Sequence, residues 1–292
     1  MPFTSAPARA IAQDPRAFAM RVLKAFKRNQ GLLLAGAVAY YALLSIVPLL
    51  ILIVIVLSHW IDPGELLDAL RRYLEWVVPG QSKPLLEELS GFLAHQQVTG
   101  WLLAGTMIFF SSLAFTVLEK SMSVIFMHRI VERRRRTIVS VLLPYCFVLL
   151  LGAGTLIVTL VSAGLEGFGQ REIRLLGHAW SLGGVSTVLL YLLGFLGEVF
   201  VLTSIYLVMP VGRLRFSHAL IGGVTAAALW EITRHVLAWY FATLSQVQVV
   251  YGSLTTAIVV LLSLELIATL LLLGAQVIAE YEQVAREVAA AG

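Results

Sequence analysis

Charged side chains are scarce in this 292-residue chain. Asp, Glu, Lys and Arg together make up 13% of it, against about 25% in soluble domains. Cysteine is scarcer still. Cys146 stands alone, so no intramolecular disulfide can form and no thiol-based zinc site can be assembled. Signatures of chemistry are missing too. There is no H-E-x-x-H, no G-x-S-x-G and no G-x-x-x-x-G-K, which removes the common metalloprotease, hydrolase and phosphate-binding motifs. Six histidines are scattered along the chain, and only His235 falls inside an apolar run. An enzyme needs a nucleophile beside a base, or a set of metal ligands. Neither is legible, so no enzyme activity, cofactor or metal is expected.

What is present is apolar: 59% of residues are hydrophobic and the mean hydropathy is +0.88. That composition belongs to a polytopic membrane protein. A helix crossing about 30 Å of hydrocarbon needs roughly 20 apolar residues. Six segments meet that length, at about 32–58, 101–126, 138–165, 180–209, 218–243 and 253–279. The expected fold is an all-α, six-helix transmembrane bundle over residues 31–280, between a basic N-terminal segment (1–30) and a tail (281–292). The N-terminal segment carries Arg9, Arg16, Arg21, Lys24, Lys27 and Arg28 and has no apolar core of signal-peptide length, so the first span should remain as an anchor.

Lys and Arg orient the spans. Six lie in the N-terminal segment, five in the loop 127–137, two in 210–217 and one, Arg286, in the tail. The alternate connections hold Arg71, Arg72, Lys83, Arg171 and Arg174. Both termini are therefore expected in the cytoplasm. The run Arg133–Arg136 is what this topology requires of a short cytoplasmic loop. No stacking aromatics interleave it, so nucleic acid is not an expected partner.

Two further pieces read as interfacial helices. The stretch PRAFAMRVLKAFKRNQ is basic and amphipathic and suits a leaflet of anionic lipid. Within 59–100, the largest extracytoplasmic piece, Asp62, Pro63 and Glu65 start one apolar-faced helix and Ser82 starts another. These two either lid an outward cavity or cover the bundle's rim.

Against this background, AALWEITRHVLAWYFATL (226–243) stands out. It sets Glu231, Arg234 and His235 inside a span, where each charge costs several kcal/mol unless paired or hydrated. Glu198 and Glu265 fall near the middle of two other spans. Glu231 and Arg234 are three residues apart and can pair, with His235 one residue further. If all converge, one Arg cannot neutralise three carboxylates, and at least one acid must bind a proton or a cation. That is the logic of an ion-linked carrier. The other account is that each acid hydrogen-bonds a neighbouring helix or lines its own water pocket. In the first span Pro48 cannot donate to Leu44, so a kink near Tyr41 to Ser45 is expected. Tyr40, Tyr41 and Ser45 then become candidate binding groups beside the broken helix, or the break is plain packing. Gly31, Ala35 and Ala39 make a small-residue stripe for close helix packing. The glycines at 152 and 154, 194 and 197, and 222 and 223 are expected to act likewise. Gly252 permits a tight turn and Ser253 caps the sixth span.

GLLLAGAVAYYALLSIVPLL (31–50), FTVLEKSMSVIF (115–126) and VVYGSLTTAIVVLLSLELIATLLLLGAQVIAEYE (249–282) resemble the YihY/BrkB family of bacterial inner-membrane proteins. The marks are Ala39-Tyr40-Tyr41 with Ser45 and Pro48, the Tyr251-Gly252-Ser253 turn, and Gly274-Ala275. The chain departs from the commoner pattern at Ser123 and over 262–266, which places Glu265 in the span. The resemblance implies a polytopic envelope protein with roles in serum resistance and in lipid or solute transport. A ribonuclease label attached to the family finds no support in a chain without a soluble catalytic domain or a carboxylate-rich metal motif. The expected function is a carrier or flippase-like protein for a small solute or lipid, built on Glu198, Glu231, Arg234, His235 and Glu265. The alternative is an envelope scaffold that moves nothing. Membrane lipids and a small-molecule or lipid substrate are the expected partners, and homo-oligomerisation is left open.

Overall fold

The computed structural model describes residues 6–57, 64, 68, 100–127, 146, 149–150, 154, 173–175, 178–180, 183–209, 214–243 and 255–291. Apolar runs become helices, α3 (Gly31–Leu57), α4 (Gly100–Ile125), α5 (Gly183–Val208), α6 (Phe216–Thr243) and α7 (Thr255–Ala291), whose ends, the last of α7 apart, fall close to the sequence limits. Two short helices precede them, α1 (Ala6–Gln13) and α2 (Pro15–Arg28). Asp14 caps α2 by accepting from the Ala17 amide at 2.9 Å, with Pro15 at the first helical position. The expected third span, the two interfacial helices between 64 and 97, and the Gly252–Ser253 turn lie largely or wholly outside the described residues.

The described fold is α-helical, as expected, with one small addition. A hairpin, β1 (Ile173–Leu175) with β2 (His178–Trp180), pairs antiparallel with Leu175 opposite His178. Its β-branched and aromatic residues suit strands, and α5 starts only at Gly183, after the 180 expected from apolarity. The helix that holds the sixth expected span also runs past it. α7 continues to Ala291, 37 residues in all, or about 55 Å at 1.5 Å per residue. Among the described residues, three helices are long and apolar enough to cross a membrane, within α4, α5 and α7. A fourth qualifies if α2 and the first part of α3 count as one broken span. α6 has the length, at 28 residues, but Thr225, Glu231, Thr233, Arg234 and His235 make it more polar.

α3 and α4 form one packed pair, α5 and α6 a second, and α7 packs against α3 and α6. Pro48 sits inside an unbroken α3. The sharp bend comes earlier, 62° between α2 and α3. There Gln30 has φ 55°, in the left-handed region that closes a helix. Gly31 follows because a Cβ at that position would run into the Phe26 ring. Ala35 and Ala39 of the same stripe are fully buried.

Small residues also set the second pair and its contact with α7. A Cβ at Gly223 would meet Thr203 and come within 3.2 Å of the Val199 carbonyl. One at Gly222 would meet Ile278. Gly274 leaves room for the Tyr206 hydroxyl, which donates to the Leu271 carbonyl at 2.7 Å. Gly154, Gly194 and Gly197, expected to act similarly, have no atom within 4 Å of where a Cβ would stand. Their helix faces are open there, so no close approach depends on them. Gly274→Val should therefore overpack the core, at about 1–3 kcal/mol, and lower the melting temperature of the detergent-solubilised protein by roughly 5 °C. Gly194→Ala should leave it unchanged or slightly raised. Differential scanning fluorimetry on the two variants checks both.

Candidate functional site

Because Gly223 lets α5 and α6 approach closely, the two helices run in a fixed antiparallel register. Thr203 faces Gly223, and Glu198, further along α5, comes level with the turn of α6 that holds Trp230 and Glu231. Arg234 Nη2 donates to both oxygens of Glu231, at 2.9 and 2.7 Å. The His235 ring turns back on its own helix: Nδ1 donates to the Glu231 carbonyl at 2.7 Å and lies 3.6 Å from Glu231 Oε2. Tyr191, Glu198, Glu231 and Arg234 lie within electrostatic reach of one another.

Glu198 sits on the wall of a cavity of about 390 Å³ between α5, α6 and α7, with Leu202, Ala226, Trp230, Leu270 and Leu271. Its Oε2 is buried with no hydrogen-bond partner. The Thr203 hydroxyl, one turn further along α5, is likewise buried and unpaired. A carboxylate oxygen in such a place has acceptor capacity free for a proton, a cation, an ammonium or a hydroxyl.

Glu265 does not join this group. Its Oε1 lies 3.7 Å from where a Gly36 Cβ would be, so it faces α3. The residues of α7 that wall the cavity begin at Ile267, two positions on and about 200° around the helix. Glu198, Glu231, Arg234 and His235 are thus brought together, and Glu265 stands apart on the other side of α7.

The first-span candidates divide as well. Tyr40 and Tyr41 stack edge to face, 5.3 Å between centroids, with Tyr40 exposed. Ser45 is buried and spent on structure. Its Oγ donates to the Phe110 carbonyl at 2.9 Å and accepts from the Ala114 amide at 3.1 Å. Those two groups stand four residues apart, as the partners of one rung of α4's own ladder do, and Ser45 ties α3 to α4 through both. Three residues on, Pro48 removes a donor from α3.

A second polar layer went unread in the sequence. At the end of α7 nearest α2, five side chains form one chain of hydrogen bonds. Asn29 Nδ2 donates to Gln276 Oε1 at 2.9 Å and Gln276 Nε2 to Glu280 Oε1 at 3.3 Å. Arg21 Nε donates to Glu280 Oε2 at 2.8 Å, and its two terminal nitrogens hold Glu287 at 2.9 and 2.6 Å. Beside it His218, in the first turn of α6, contacts Glu282 Oε1 through Nδ1 at 2.8 Å and packs on Tyr281. Gln276, Glu280 and Glu282 are all buried. The signal available was the spacing of Gln276, Glu280, Gln283 and Glu287, which continues one helical face past the apolar run. The acidic partners of Arg21 lie 259 and 266 residues away, so no local pattern could name them.

A helical bundle with apolar spans, polar groups held at two levels and small-residue contacts defines an integral membrane protein. The chain matches the family described as Virulence factor BrkB over residues 22–291, nearly its whole length, and it belongs to that family. It is similar to a UPF0761 membrane protein of Aeromonas salmonicida, with 27% identity covering 94% of this chain and 92% of the relative. A UPF0761 membrane protein of Azotobacter vinelandii is also 27% identical, covering 87% of this chain but 60% of the relative. One of Aggregatibacter aphrophilus is 24% identical, with 90% and 91% covered. No solved structure matches the chain.

Removing Arg21 leaves the buried Glu280 without its cation. Arg21→Ala should cost about 3–5 kcal/mol, the range for breaking a buried pair on one side. Glu287→Gln, which opens only the exposed half of the fork, should cost less than about 1 kcal/mol. Equal losses in chemical denaturation of the two variants would show that Glu280 does not depend on Arg21.

Proposed function

We propose that the protein is a multi-pass inner-membrane carrier or flippase-like protein. Its bundle has six spans, both termini in the cytoplasm and amphipathic helices on the outer face between spans one and two. It moves a small solute or a lipid, using the acidic groups of α5 and α6. The observation that carries the reading is the unpaired, buried Glu198 Oε2 on the wall of the 390 Å³ cavity, beside the Glu231–Arg234 pair. Charges at this depth are retained where they serve a pathway. Cavities of about 300–1,000 Å³ with few polar groups are of ligand-binding size. The apolar lining favours a substrate with an apolar part.

In this scheme Glu198 is the accepting group. The Glu231–Arg234 pair supplies a fixed neutral partner that can exchange contacts as the substrate passes. Glu265, on the far side of α7, serves the α3 side of the bundle. The test uses proteoliposomes in which internal pH and fluorescent-lipid scrambling are both followed. Wild-type protein should give a flux that Glu198→Gln lowers by on the order of tenfold, the effect of leaving a buried polar partner unmatched (~1–3 kcal/mol). Glu231→Gln combined with Arg234→Gln should lower it as well, with elution profiles unchanged. Wild-type flux untouched by Glu198→Gln would overturn the assignment of the site. No flux of either kind would favour an envelope scaffold.

A further inference from the structure

Of the six basic residues before α3, Arg21 is committed to Glu280 and Glu287. Lys24 and Arg28, one helical turn apart on α2, have no carboxylate partner among the described residues, yet both face a cavity of about 660 Å³ between α2 and α7. Arg21, Glu280 and Gln283 complete its polar lining, and Met20 and Ala25 add apolar wall. A second cavity of about 320 Å³ shares Arg28 and Gln283 and adds the amides of Asn29 and Gln276. Counting the carboxylates that hold Arg21, three cations face two anions, which leaves one positive charge.

We propose that this pair of cavities is a binding site for one phosphate-bearing anion, with Lys24 and Arg28 as the charged contacts and Gln283 as a neutral one. The surplus of one charge matches a phosphodiester. Lys supplies a point charge and Arg a donor fork, the two side-chain types that recognise phosphate oxygens. The volume lies in the range of ligand sites. A phospholipid headgroup fits better than a free phosphate because Met20 on the cavity wall is an exposed apolar side chain, and Leu23 on the same helix and Leu32 and Leu33 at the start of α3 are exposed apolar side chains close in sequence to Lys24 and Arg28. They would lie against acyl chains while the headgroup is held. Arg21 is a positioning residue here, since its carboxylate partners fix α2 against α7 and so hold the cavity open. The site is separate from the mid-bundle cavity, and its failure would leave the carrier reading standing.

Native mass spectrometry of the full-length protein tests this, with phosphatidylglycerol or phosphatidylcholine added to the micelles. Wild-type protein should retain one phosphatidylglycerol per chain in preference to phosphatidylcholine. Lys24→Gln with Arg28→Gln should weaken that binding about thirtyfold, from roughly 1 kcal/mol per interfacial cation. The control pair is Arg16→Gln with Lys27→Gln, exposed on α2 but lining neither cavity, and it should bind as wild type does. Thermal stabilisation by inorganic phosphate, lost in the first pair and not the second, with no lipid retained, would keep the site and assign it to a soluble phosphate compound. Equal weakening in both pairs, or no binding of either probe, would overturn the proposal.

Discussion

α7 is the helix on which the described fold depends, because it presents a different face to each helix pair. Towards α5 and α6 it offers Leu271, Gly274 and Ile278, which meet Tyr206, Ala226 and Gly222. The opposite side reaches α3, where Glu265 approaches Gly36. In a bilayer, lipid tails are as apolar as leucine, so helices are not driven together by leaving water. Close packing and hydrogen bonds must hold them. The small residues at 222, 223 and 274, the Tyr206–Leu271 bond and the two bonds of Ser45 to α4 are contacts that meet this requirement.

The same constraint sorts the polar groups. A charge in an apolar bundle has to be paired, hydrated or neutral, and the two layers answer differently. At the α2 end every member of the Asn29–Gln276–Glu280–Arg21–Glu287 chain has a partner, and the whole is a fastening between α2 and α7. Between α5 and α6, Glu231 and Arg234 satisfy each other on one helix face, while one oxygen of Glu198 and the hydroxyl of Thr203 are left over. Complete satisfaction is what a fastening needs. Spare acceptor capacity is what a passage for a proton or ligand needs, which is why the proposed transport site rests on Glu198 and not on the more heavily charged end.

Much of the helical layout was legible in the sequence because span length is set by the thickness of hydrocarbon, a property of the solvent. Residues 32–58 became Gly31–Leu57 and 101–126 became Gly100–Ile125 for that reason. The pairing of Glu231 with Arg234 was legible because it is local, three residues along one helix. What hydropathy could not show was the far end of α7. Residues 281–291 are more polar than the run before them, yet the helix continues through them, and Arg21 of α2 holds Glu287 there. The separation of Glu265 from Glu198 was equally hidden. Depth along a span can be read from residue number, but rotation about its axis relative to a distant helix is fixed by tertiary packing.

That rotation links the two layers. α7 is one continuous helix from Thr255 to Ala291, and it carries Glu265, the cavity wall at Ile267, Leu270 and Leu271, and then Gln276, Glu280 and Glu287. A helix twists little about its own axis, so these groups turn together. Arg21 grips α7 through two carboxylates seven residues, or two turns, apart. Asn29 grips it one turn earlier through Gln276. Three attachments along one face leave little freedom to rotate, and the bend at Gln30 makes α2 the lever arm that applies them. The azimuth that points Leu270 and Leu271 at the cavity, and Glu265 away from it, is therefore set by the packing of Gly274 and Ile278 on Tyr206, Ala226 and Gly222 and reinforced about 8–33 Å along the helix, at 1.5 Å per residue, by the attachments to α2.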